Sequence, residues 1–409
     1  MNTIENPTEF SSIEPVQEIL QEGMEESVDN SFDTAEVVTV AGAHLAHDTY
    51  FSYLPTILPL LIRNLALNTT QAGLLTAFTQ VPSLFQPMIG HLADRKNLRM
   101  LVVLAPALSG ILITLVGIVP NFGLAAILLL LAGFSTAGFH AIAPSMVGAK
   151  SGKKFGRGMG FFMVGGELGY AVGPLIVVAT IYYLSLKGLP WLMSLGIIFS
   201  IILFFRTRNI STEREEHQEA SRLSVREALF QMRDLILPIM AINFITGFLS
   251  ANLVNFLPTF MASEGVSFTL AGASLSVLEL AATVGVFLMS IVSDRAGHRN
   301  IILIGTIASG AFALIFLFVQ GWLQIVMLIG CGLTAFIANP AFLAILQSRF
   351  TSNRSLANGI YMSSSFILRA IAVVIVGALA DQFGLRAVFM GSSVGVLVSL
   401  PLIFMLPKN

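Results

Sequence analysis

Asp94 lies in a short polar stretch between two long apolar runs, Gly90-His91-Leu92-Ala93-Asp94-Arg95-Lys96-Asn97-Leu98-Arg99. A shorter, partial repeat of this stretch contains Asp294, 200 positions later: Ser293-Asp294-Arg295-Ala296-Gly297-His298-Arg299. Two further short motifs are repeated at nearly the same spacing along the chain. Leu54-Pro55-Thr56 is repeated as Leu257-Pro258-Thr259, and Thr70-Gln71-Ala72-Gly73 as Thr269-Leu270-Ala271-Gly272. The spacing therefore predicts two similar halves.

The composition is that of a membrane protein. Of the 409 residues, 55% are hydrophobic and 11% are charged, whereas soluble domains carry about 25% charged residues. Apolar runs of about 20 residues, each long enough to cross a bilayer, follow one another along the chain. We therefore predict an all-α integral membrane fold with twelve transmembrane helices in two six-helix, pseudo-symmetric halves. The predicted spans are roughly 37–62, 72–92, 100–120, 122–147, 158–183, 190–206, 234–261, 268–292, 300–319, 322–347, 357–380 and 385–406.

The basic residues define a topology for these spans. With the N-terminus in the cytoplasm, eighteen of the 22 Lys and Arg residues fall in inner segments and three in outer loops. Because cytoplasmic loops carry the excess of Lys and Arg, both termini are predicted to be cytoplasmic, in a prokaryotic cell (inner) membrane. The predicted divisions are a disordered acidic tail, two halves and a cytoplasmic linker, at 1–36, 37–206, 233–409 and 207–232 respectively.

His44, His47 and Asp48 lie near the middle of the first span and share one helical face. A carboxylate beside two imidazoles can exchange protons, so we predict proton or substrate handling here. A fixed polar cluster that bonds neighbouring helices is the alternative. A metal site is not predicted, because no further ligand cluster is evident in the sequence. The single cysteine, Cys331, excludes a cysteine-based metal cluster.

Three other charges are predicted to lie inside spans, where charge is costly and therefore often functional. Glu167 lies in the fifth span, within Gly165-Gly166-Glu167-Leu168-Gly169-Tyr170-Ala171-Val172-Gly173-Pro174, and Glu279 lies midway along the eighth. Arg369 lies midway along the eleventh span and cannot easily shed its charge. It must meet a carboxylate, backbone carbonyls, water or an anionic substrate. The alternative for each charge is a structural ion pair.

Other polar residues are weaker candidates for the substrate cavity, and the asparagines among them are of a type that usually bridges helices inside the membrane. They are Gln80, His140, Asn243, Asn252, Asn255 and Asn339.

The repeated loop is predicted to act as a conformational latch, since a loop acid can cap a neighbouring helix and nearby arginines can cross-link the same corner. Its members are Gly90, Asp94, Arg95, Arg99, Asp294 and Arg295. The alternative is that its positive charge only fixes topology.

Common nucleotide and hydrolase motifs are missing from the sequence. It has no Walker A loop, GxSxG elbow, HExxH helix or zinc cysteine pattern. We therefore expect neither an enzyme nor a cofactor. The expected partners are a small-molecule substrate, protons and the lipid bilayer, with no nucleic acid, and the expected state is a monomer.

These motifs resemble those of the major facilitator superfamily. The loop matches the family signature at Gly90, Leu92, Ala93, Asp94 and Arg95 but departs at Asn97, where glycine is usual. The fifth span is similar to the antiporter signature at Gly160, Gly169, Gly173 and Pro174, but it has Val177 and Val178 where a glycine pair is usual. The arginine typical of drug antiporters in the fourth span is missing, and that span offers His140 instead.

The chain resembles the fosmidomycin-resistance branch of that superfamily more closely. The similar segments are His44-Leu45-x-x-Asp48, Phe85-Gln86-Pro87-x-Ile89-Gly90, Gly138-Phe139-His140 and Val164-Gly165-Gly166 running into Gly173-Pro174. The resemblance implies a twelve-helix carrier that exports small molecules, such as drugs, against proton entry. Glu167 stands where the branch is expected to have a neutral amide.

The resulting prediction is a proton-coupled antiporter that works by alternating access. Spans five and eight adjoin in this family's fold, so Glu167 and Glu279 are expected to share a proton. A symporter or facilitator that imports an organic anion is the second hypothesis. A membrane receptor that signals through its acidic tail is the third.

Overall fold

The computed structural model describes residues 32–407 apart from 94, 209–224 and 351–353, and within these residues the chain is helical with no β-strand. The helices of the first half are α1 Thr34–Phe51, α2 Tyr53–Asn64, α3 Thr69–Gln80, α4 Gln86–Ala93, α5 Arg99–Leu115, α6 Phe122–Ala149, α7 Phe155–Leu184 and α8 Met193–Arg206. Short 3-10 turns at Val81–Phe85 and Leu186–Leu192 lead into α4 and α8.

The second half contains nine helices in its described residues. Its helices are α9 Val225–Ala251, α10 Leu257–Ser263, α11 Phe268–Ala296, α12 His298–Phe316, α13 Trp322–Ala335, α14 Ala338–Arg349, α15 Arg354–Phe383, α16 Leu385–Gly395 and α17 Leu400–Met405. A π turn at Asn252–Phe256 joins α9 to α10, and a 3-10 turn at Val396–Ser399 joins α16 to α17.

In the described part of the chain, ten helical stretches are long and apolar enough to cross a membrane. The first two predicted spans are outside this set. The first carries two histidines and Asp48 and is broken at Ser52, and the second is broken by the turn at Val81–Phe85. Helices α1 to α4 nevertheless lie at the places predicted for these two spans, so the helical segments are consistent with twelve spans in total.

Helices begin inside both the predicted acidic tail and the predicted linker. The tail was predicted to be disordered over 1–36, yet α1 begins at Thr34, where Asp33 accepts a hydrogen bond from the backbone of Glu36. Glu36 also forms an ion pair with Lys150, 2.8 Å away. Helix α1 therefore begins within the last residues of the predicted tail, where these two contacts hold it, and residues 1–31 lie outside the described part. Likewise α9 already begins at Val225, inside the predicted linker.

The repeated Leu-Pro-Thr motif marks a matching helix break in each half. Helix α1 ends at Phe51, four residues before Pro55, and the π turn at Asn252–Phe256 lies just before Pro258. A proline inside a helix lacks an N–H group, and its ring clashes with the carbonyl four residues earlier. The same local chemistry therefore bends the first helix of each half at the same place.

The repeated Ala-Gly motif marks where the halves touch. A Cβ atom on Gly73 of α3 would lie 2.7 Å from the carbonyl oxygen of Val373 in α15. A Cβ atom on Gly272 of α11 would meet the side chain of Val178 in α7. These glycines let α3 pack on α15 and α7 pack on α11, as expected for spans five and eight. Glu167, Glu279 and Arg369 lie on three of these four helices, α7, α11 and α15 respectively.

Candidate functional site

His44 and Asp48 form the centre of the site on α1. They lie one helical turn apart, and both side chains are buried. Nε2 of His44 is 3.0 Å from Oδ2 of Asp48, as positions i and i+4 on one helix face allow. The structure thus brings together two of the three residues that the first-span pattern singled out.

His140 of α6 completes this centre. Its Nε2 lies 3.2 Å from Nε2 of His44 and 3.8 Å from Oδ1 of Asp48. One ligand atom from each of the three side chains falls within 4.8 Å of the others. We call His44, Asp48 and His140 the HDH cluster.

Hydrogen bonds to the main chain fix which ring nitrogens carry protons. Nδ1 of His44 donates to the carbonyl oxygen of Phe162 at 2.8 Å, and Nδ1 of His140 donates to that of Thr136 at 3.1 Å, since a carbonyl oxygen can only accept. In the neutral rings both Nε2 atoms therefore carry lone pairs. These lone pairs converge on the carboxylate of Asp48, so a positive charge is needed between them.

The ring of His47 touches that of His140, with the centroids 5.7 Å apart, but its two ring nitrogens bind partners outside the HDH cluster. Its Nδ1 is 3.0 Å from the hydroxyl of Ser109, and its Nε2 is 3.2 Å from the hydroxyl of Thr136. Its ring stacks on Phe139, with the centroids 4.6 Å apart. The side chain is completely buried. These contacts fit the alternative reading for His47, a fixed polar link between helices.

The fifth-span glycines place α7 directly against the HDH cluster. A Cβ atom on Gly166 would lie 2.5 Å from Cε1 of His44 and 3.0 Å from Oδ2 of Asp48. One on Gly169 would lie 2.9 Å from the backbone nitrogen of Thr49, and one on Gly173 would clash with Ser52. Gly160 has no neighbour within 4 Å. The ridge Gly165-Gly166-Gly169-Gly173, rather than Gly160, thus permits the close contact with α1, and Pro174 continues it as a buried residue inside α7.

The other nominated charges surround the cluster from both halves. Glu167 of α7 is half-buried, and it lies within electrostatic range of Asp48, His44 and Arg369. Glu279 of α11 is buried and lies within electrostatic range of Glu167. The charges of the two halves therefore influence one another across the boundary between them.

Arg369 of α15 is the nominated cation of the second half. The residue is exposed, and its guanidinium lies 4.5 Å from the ring centroid of Phe366. Within the described side chains, no carboxylate lies within ion-pair distance of it. Tyr170 and Tyr361 lie within its electrostatic range. A structural ion pair, the alternative reading for Arg369, is thus not found among the described residues.

The weaker candidates divide into bridging and accessible residues. Asn252 is completely buried and donates to the hydroxyl of Ser392 at 2.8 Å, so it bridges two helices. Asn243 donates to the hydroxyl of Ser365 at 3.4 Å, near Tyr361. Gln80 has a buried Oε1 without a hydrogen-bond partner among the described atoms. Asn255 is half-buried and Asn339 is exposed.

The sequence matches the model of a known protein family over most of its length. The model of the Major Facilitator Superfamily matches residues 40–351 and, in a second match, residues 239–409. The chain belongs to the Major Facilitator Superfamily. It is therefore a multi-pass membrane transporter by family, and the two-half fold described above is the superfamily's architecture.

Two curated relatives of the superfamily cover most of the chain. The Fosmidomycin resistance protein of Escherichia coli (strain K12) is 22% identical over 357 residues, which is 85% of this chain and 86% of the relative. YfnC of Bacillus subtilis (strain 168), an MFS-type transporter without an assigned role, is 23% identical over 85% of this chain and 87% of the relative. The resemblance to the fosmidomycin-resistance branch is thereby confirmed.

Solved structures of the superfamily share the fold. A bacterial homologue of the human lysosomal transporter Spinster, inward-facing and unoccupied, has a TM-score of 0.77 at 15% identity and covers 91% of this chain and 97% of its own. The nucleoside transporter NupG has a TM-score of 0.73 at 14% identity and covers 92% and 100% respectively.

The superfamily loop is only partly described. Asp94 and the side chains of Asp294 and Arg295 lie outside the described residues, while Gly90 lies in α4 and Arg95 is exposed. Arg99 donates to the carbonyl oxygen of Phe204 at 3.3 Å and to the hydroxyl of Thr207 at 3.2 Å. Both acceptors lie at the end of α8, so Arg99 ties two helices within the first half.

Sequence reasoning missed several polar residues of the candidate site and one at the boundary between the two halves. Tyr170 lies inside the quoted fifth-span motif and falls within electrostatic range of four of the nominated charges. Ser109 and Thr136, which hold His47, and Tyr361, beside Arg369, carried no distinguishing pattern. Asp381 was placed just past the end of the eleventh span, yet it contacts the other half of the molecule. Only Tyr170 stood in a motif that could have revealed it.

Proposed function

We propose that this transporter exports a small organic molecule with an anionic group, in exchange for protons, by alternating access. The observation that carries the proposal is the convergence of the two Nε2 lone pairs and the Asp48 carboxylate in the HDH cluster. One proton on either ring converts a repulsive contact into an ion pair and a hydrogen bond. The cluster is therefore suited to hold a proton in one state of the cycle and to release it in another.

Arg369 supports an anionic substrate. A guanidinium keeps its charge and offers planar, bidentate recognition to a carboxylate, phosphate or phosphonate. Its position in the second half, without a carboxylate partner among the described residues, leaves it available to substrate. Tyr170 and Tyr361 can add hydroxyl groups to the same anion.

The cycle follows from these two sites. When the cavity faces outward, a proton enters at Asp48 or Glu167. When it faces inward, the proton leaves and the substrate binds beside Arg369. Glu167 lies within electrostatic range of both sites, so the charge at one affects occupancy of the other. Glu279 of α11 lies within electrostatic range of Glu167 of α7, which supports a proton shared between these two acids.

The distribution of basic residues supports a topology for this cycle. We infer that both termini face the cytoplasm of a prokaryotic cell, and that the protein resides in its inner membrane as a monomer. The named relative from Escherichia coli favours export of a phosphonate antibiotic as the first activity to test.

The alternative function is import of an organic anion, by symport or facilitated diffusion. Exposed Arg369 favours an anion in either direction, and the geometry of the site does not depend on direction. Flux of a labelled substrate in right-side-out and inverted vesicles separates the two functions.

Drug susceptibility in a pump-deficient bacterium tests the proposal. Cells that express the wild type are expected to resist one or more compounds of a panel that includes fosmidomycin, and Asp48→Asn is expected to abolish that resistance. The exposed variant Arg63→Ala, at the end of α2, serves as the control and is expected to retain resistance. Resistance unchanged in Asp48→Asn would overturn the assigned role of the HDH cluster.

A further inference from the structure

We propose that the HDH cluster is a binding site for a divalent transition metal cation of the Zn²⁺ type. Sequence reasoning predicted no metal site, because His44 and Asp48 had no further ligand near them in the sequence. The fold supplies the missing ligand, since His140 of α6 reaches the same point from 96 positions away.

The spacing of the three ligand atoms suits a tetrahedral cation. Zinc lies about 2.0–2.2 Å from imidazole nitrogens and carboxylate oxygens, so the ligand atoms of a tetrahedral site lie about 3.4 Å apart. Nε2 of His44 lies 3.0 Å from Oδ2 of Asp48 and 3.2 Å from Nε2 of His140. Nε2 of His140 lies 3.8 Å from the other carboxylate oxygen of Asp48, Oδ1. One ligand atom from each side chain lies within 4.8 Å of the others, so small side-chain shifts would let the two nitrogens and the carboxylate bind one ion.

The hydrogen bonds behind the ligands are those of a metal site. A metal-binding histidine usually donates its other ring N–H to a carbonyl or carboxylate, which fixes the tautomer and directs the lone pair to the ion. Both histidines do this, toward the carbonyl oxygens of Phe162 and Thr136. The arrangement directs two imidazole lone pairs at one carboxylate.

Asp48 supplies a second, independent sign of a missing cation. Its Oδ1 atom is buried and has no hydrogen-bond partner among the described atoms. The side chain as a whole is only 5% exposed. A buried, unpartnered polar atom is costly. A cation at the centre of the cluster would satisfy Oδ1 together with the two lone pairs.

The site has an entrance and an open coordination position. The side chain of His140 is 23% exposed, whereas those of His44 and Asp48 are almost fully buried. The ion can therefore arrive from the side of His140 and keep a water molecule or a substrate oxygen as its fourth ligand. Two imidazoles and a carboxylate favour Zn²⁺, Co²⁺ or Ni²⁺ over Mg²⁺ or Ca²⁺.

Neighbouring charges set the strength of binding. Glu167 lies within electrostatic range of His44 and favours a cation. Arg369 lies within electrostatic range of His140 and opposes one. One consequence rests on the proposed function: in the proposed transport cycle, the metal occupies the place of the proton and therefore inhibits export.

Cobalt and zinc titrations of the purified, full-length protein test the site. The protein carries an affinity tag without histidines and is kept in detergent. Co²⁺ is expected to produce the intense visible absorption of a four-coordinate ion, and Zn²⁺ is expected to displace it with saturation at one site per chain. His140→Ala, His44→Ala and Asp48→Asn are each expected to weaken Zn²⁺ binding at least tenfold.

His91→Ala is the matched control, because His91 is an exposed histidine at the end of α4. It is expected to leave Zn²⁺ affinity unchanged. If a buried variant fails to fold, His140→Ala decides the question, since His140 is the partly exposed ligand. Zn²⁺ affinity unchanged in folded His140→Ala, or the absence of Co²⁺ absorption in the wild type, would overturn the proposal.

Binding and transport can fail separately. Metal binding is measured without a gradient or a substrate, so a protein that binds Zn²⁺ but confers no resistance retains the metal site and loses the proposed function. A protein that exports a drug but binds no Zn²⁺ or Co²⁺ does the reverse.

Discussion

Gly166 lies where the fifth span touches the two residues that matter most on the first. A Cβ atom there would lie 2.5 Å from Cε1 of His44, closer than side chains tolerate, and 3.0 Å from Oδ2 of Asp48. Gly166→Ala is therefore expected to push His44 away from Asp48, to abolish resistance, and to lower stability by about 1–3 kcal/mol, as overpacking does.

Gly160 provides the control for this substitution on the same helix. No atom lies within 4 Å of a Cβ at Gly160, so Gly160→Ala is expected to keep both resistance and melting temperature. Fluorescence-detected melting in detergent and drug susceptibility measure the two effects. Equal behaviour of the two alanine variants would contradict the assigned contact.

Arg369 is the residue for which chemistry, rather than packing, determines the expected effect. A charge-assisted hydrogen bond contributes about 1.5–3 kcal/mol, so Arg369→Ala is expected to raise the KM for an anionic substrate about 10- to 100-fold. Arg369→Lys is expected to recover little of this loss, because lysine cannot form the planar bidentate contact. Concentration-dependent uptake into inverted vesicles measures KM. A lysine variant with wild-type KM would exclude bidentate binding.

Two of the three members of the HDH cluster could be identified from the sequence as one local group, and the third could not. His44 and Asp48 were nominated because positions i and i+4 share a helix face, which is a local rule. His140 was nominated only as a weaker candidate for the substrate cavity, and its contact with His44 spans 96 positions. Helical periodicity says nothing about which face of one helix meets another, so the third member of the cluster required the fold.

Asp381 links two helices from different halves of the molecule. Its Oδ1 accepts from the backbone N–H of Thr69 at 2.7 Å, and its Oδ2 accepts from that of Thr70 at 2.9 Å. The two threonine hydroxyls donate to the same carboxylate. A carboxylate at a helix N-terminus is stabilised by the helix dipole and by the unpaired N–H groups. Asp381 of α15 thus caps α3 and closes one end of the boundary between the halves.

Removing this cap is expected to favour the state in which that end is open. The contribution of a capping carboxylate is about 1 kcal/mol, so Asp381→Ala is expected to increase the open population about fivefold. Spin labels on Arg63→Cys and Phe383→Cys, both exposed at the same end, report the distance between the halves. Cys331 is buried and does not compete for the label.

Glu264→Gln is the control for the cap. Glu264 forms an ion pair with Arg386 at 2.7 Å, but both residues belong to the second half. Its loss is expected to leave the distance between the halves unchanged. An identical distance distribution in Asp381→Ala and the wild type would show that Asp381 does not hold the boundary closed.

The places of the helices were more predictable than their ends. Hydrophobicity is a local property, so the twelve apolar segments could be predicted from the sequence. The breaks before Pro55 and Pro258 were not predicted, although both prolines stand in a repeated motif. The start of α1 at Thr34 was not predicted either, because it depends on the ion pair of Glu36 with Lys150, which joins segments far apart in sequence. Acidic composition alone had suggested that these residues would be disordered.

At the scale of the whole molecule, a symmetric scaffold carries an asymmetric site. The matching breaks and the matching glycines at the crossings repeat in both halves. The HDH cluster belongs only to the first half, since Ala251 occupies the place that corresponds to Asp48, and the exposed Arg369 belongs only to the second. Rocking of the halves would change the separation of the two groups, which is how the proposed coupling between proton and anion arises.

Glu167 and Glu279 are the acids through which this coupling crosses the boundary. They lie within electrostatic range of each other, one on α7 and one on α11. If they share one proton, each single glutamine variant removes the same function, so the two losses are not additive. Glu167→Gln, Glu279→Gln and the double variant are therefore all expected to lose drug-induced proton movement to a similar extent.

Proton movement on addition of drug to inverted vesicles, followed with a pH-sensitive dye, measures this coupling. Glu264→Gln again serves as the control, because it removes an acid that is paired with Arg386 away from the α7–α11 contact. Full coupling in the double variant would show that the proton does not pass through this pair. The HDH cluster would then have to hold the coupling proton without help from the second half, and coupling to Arg369 would depend on Tyr170 and the motion of the halves alone.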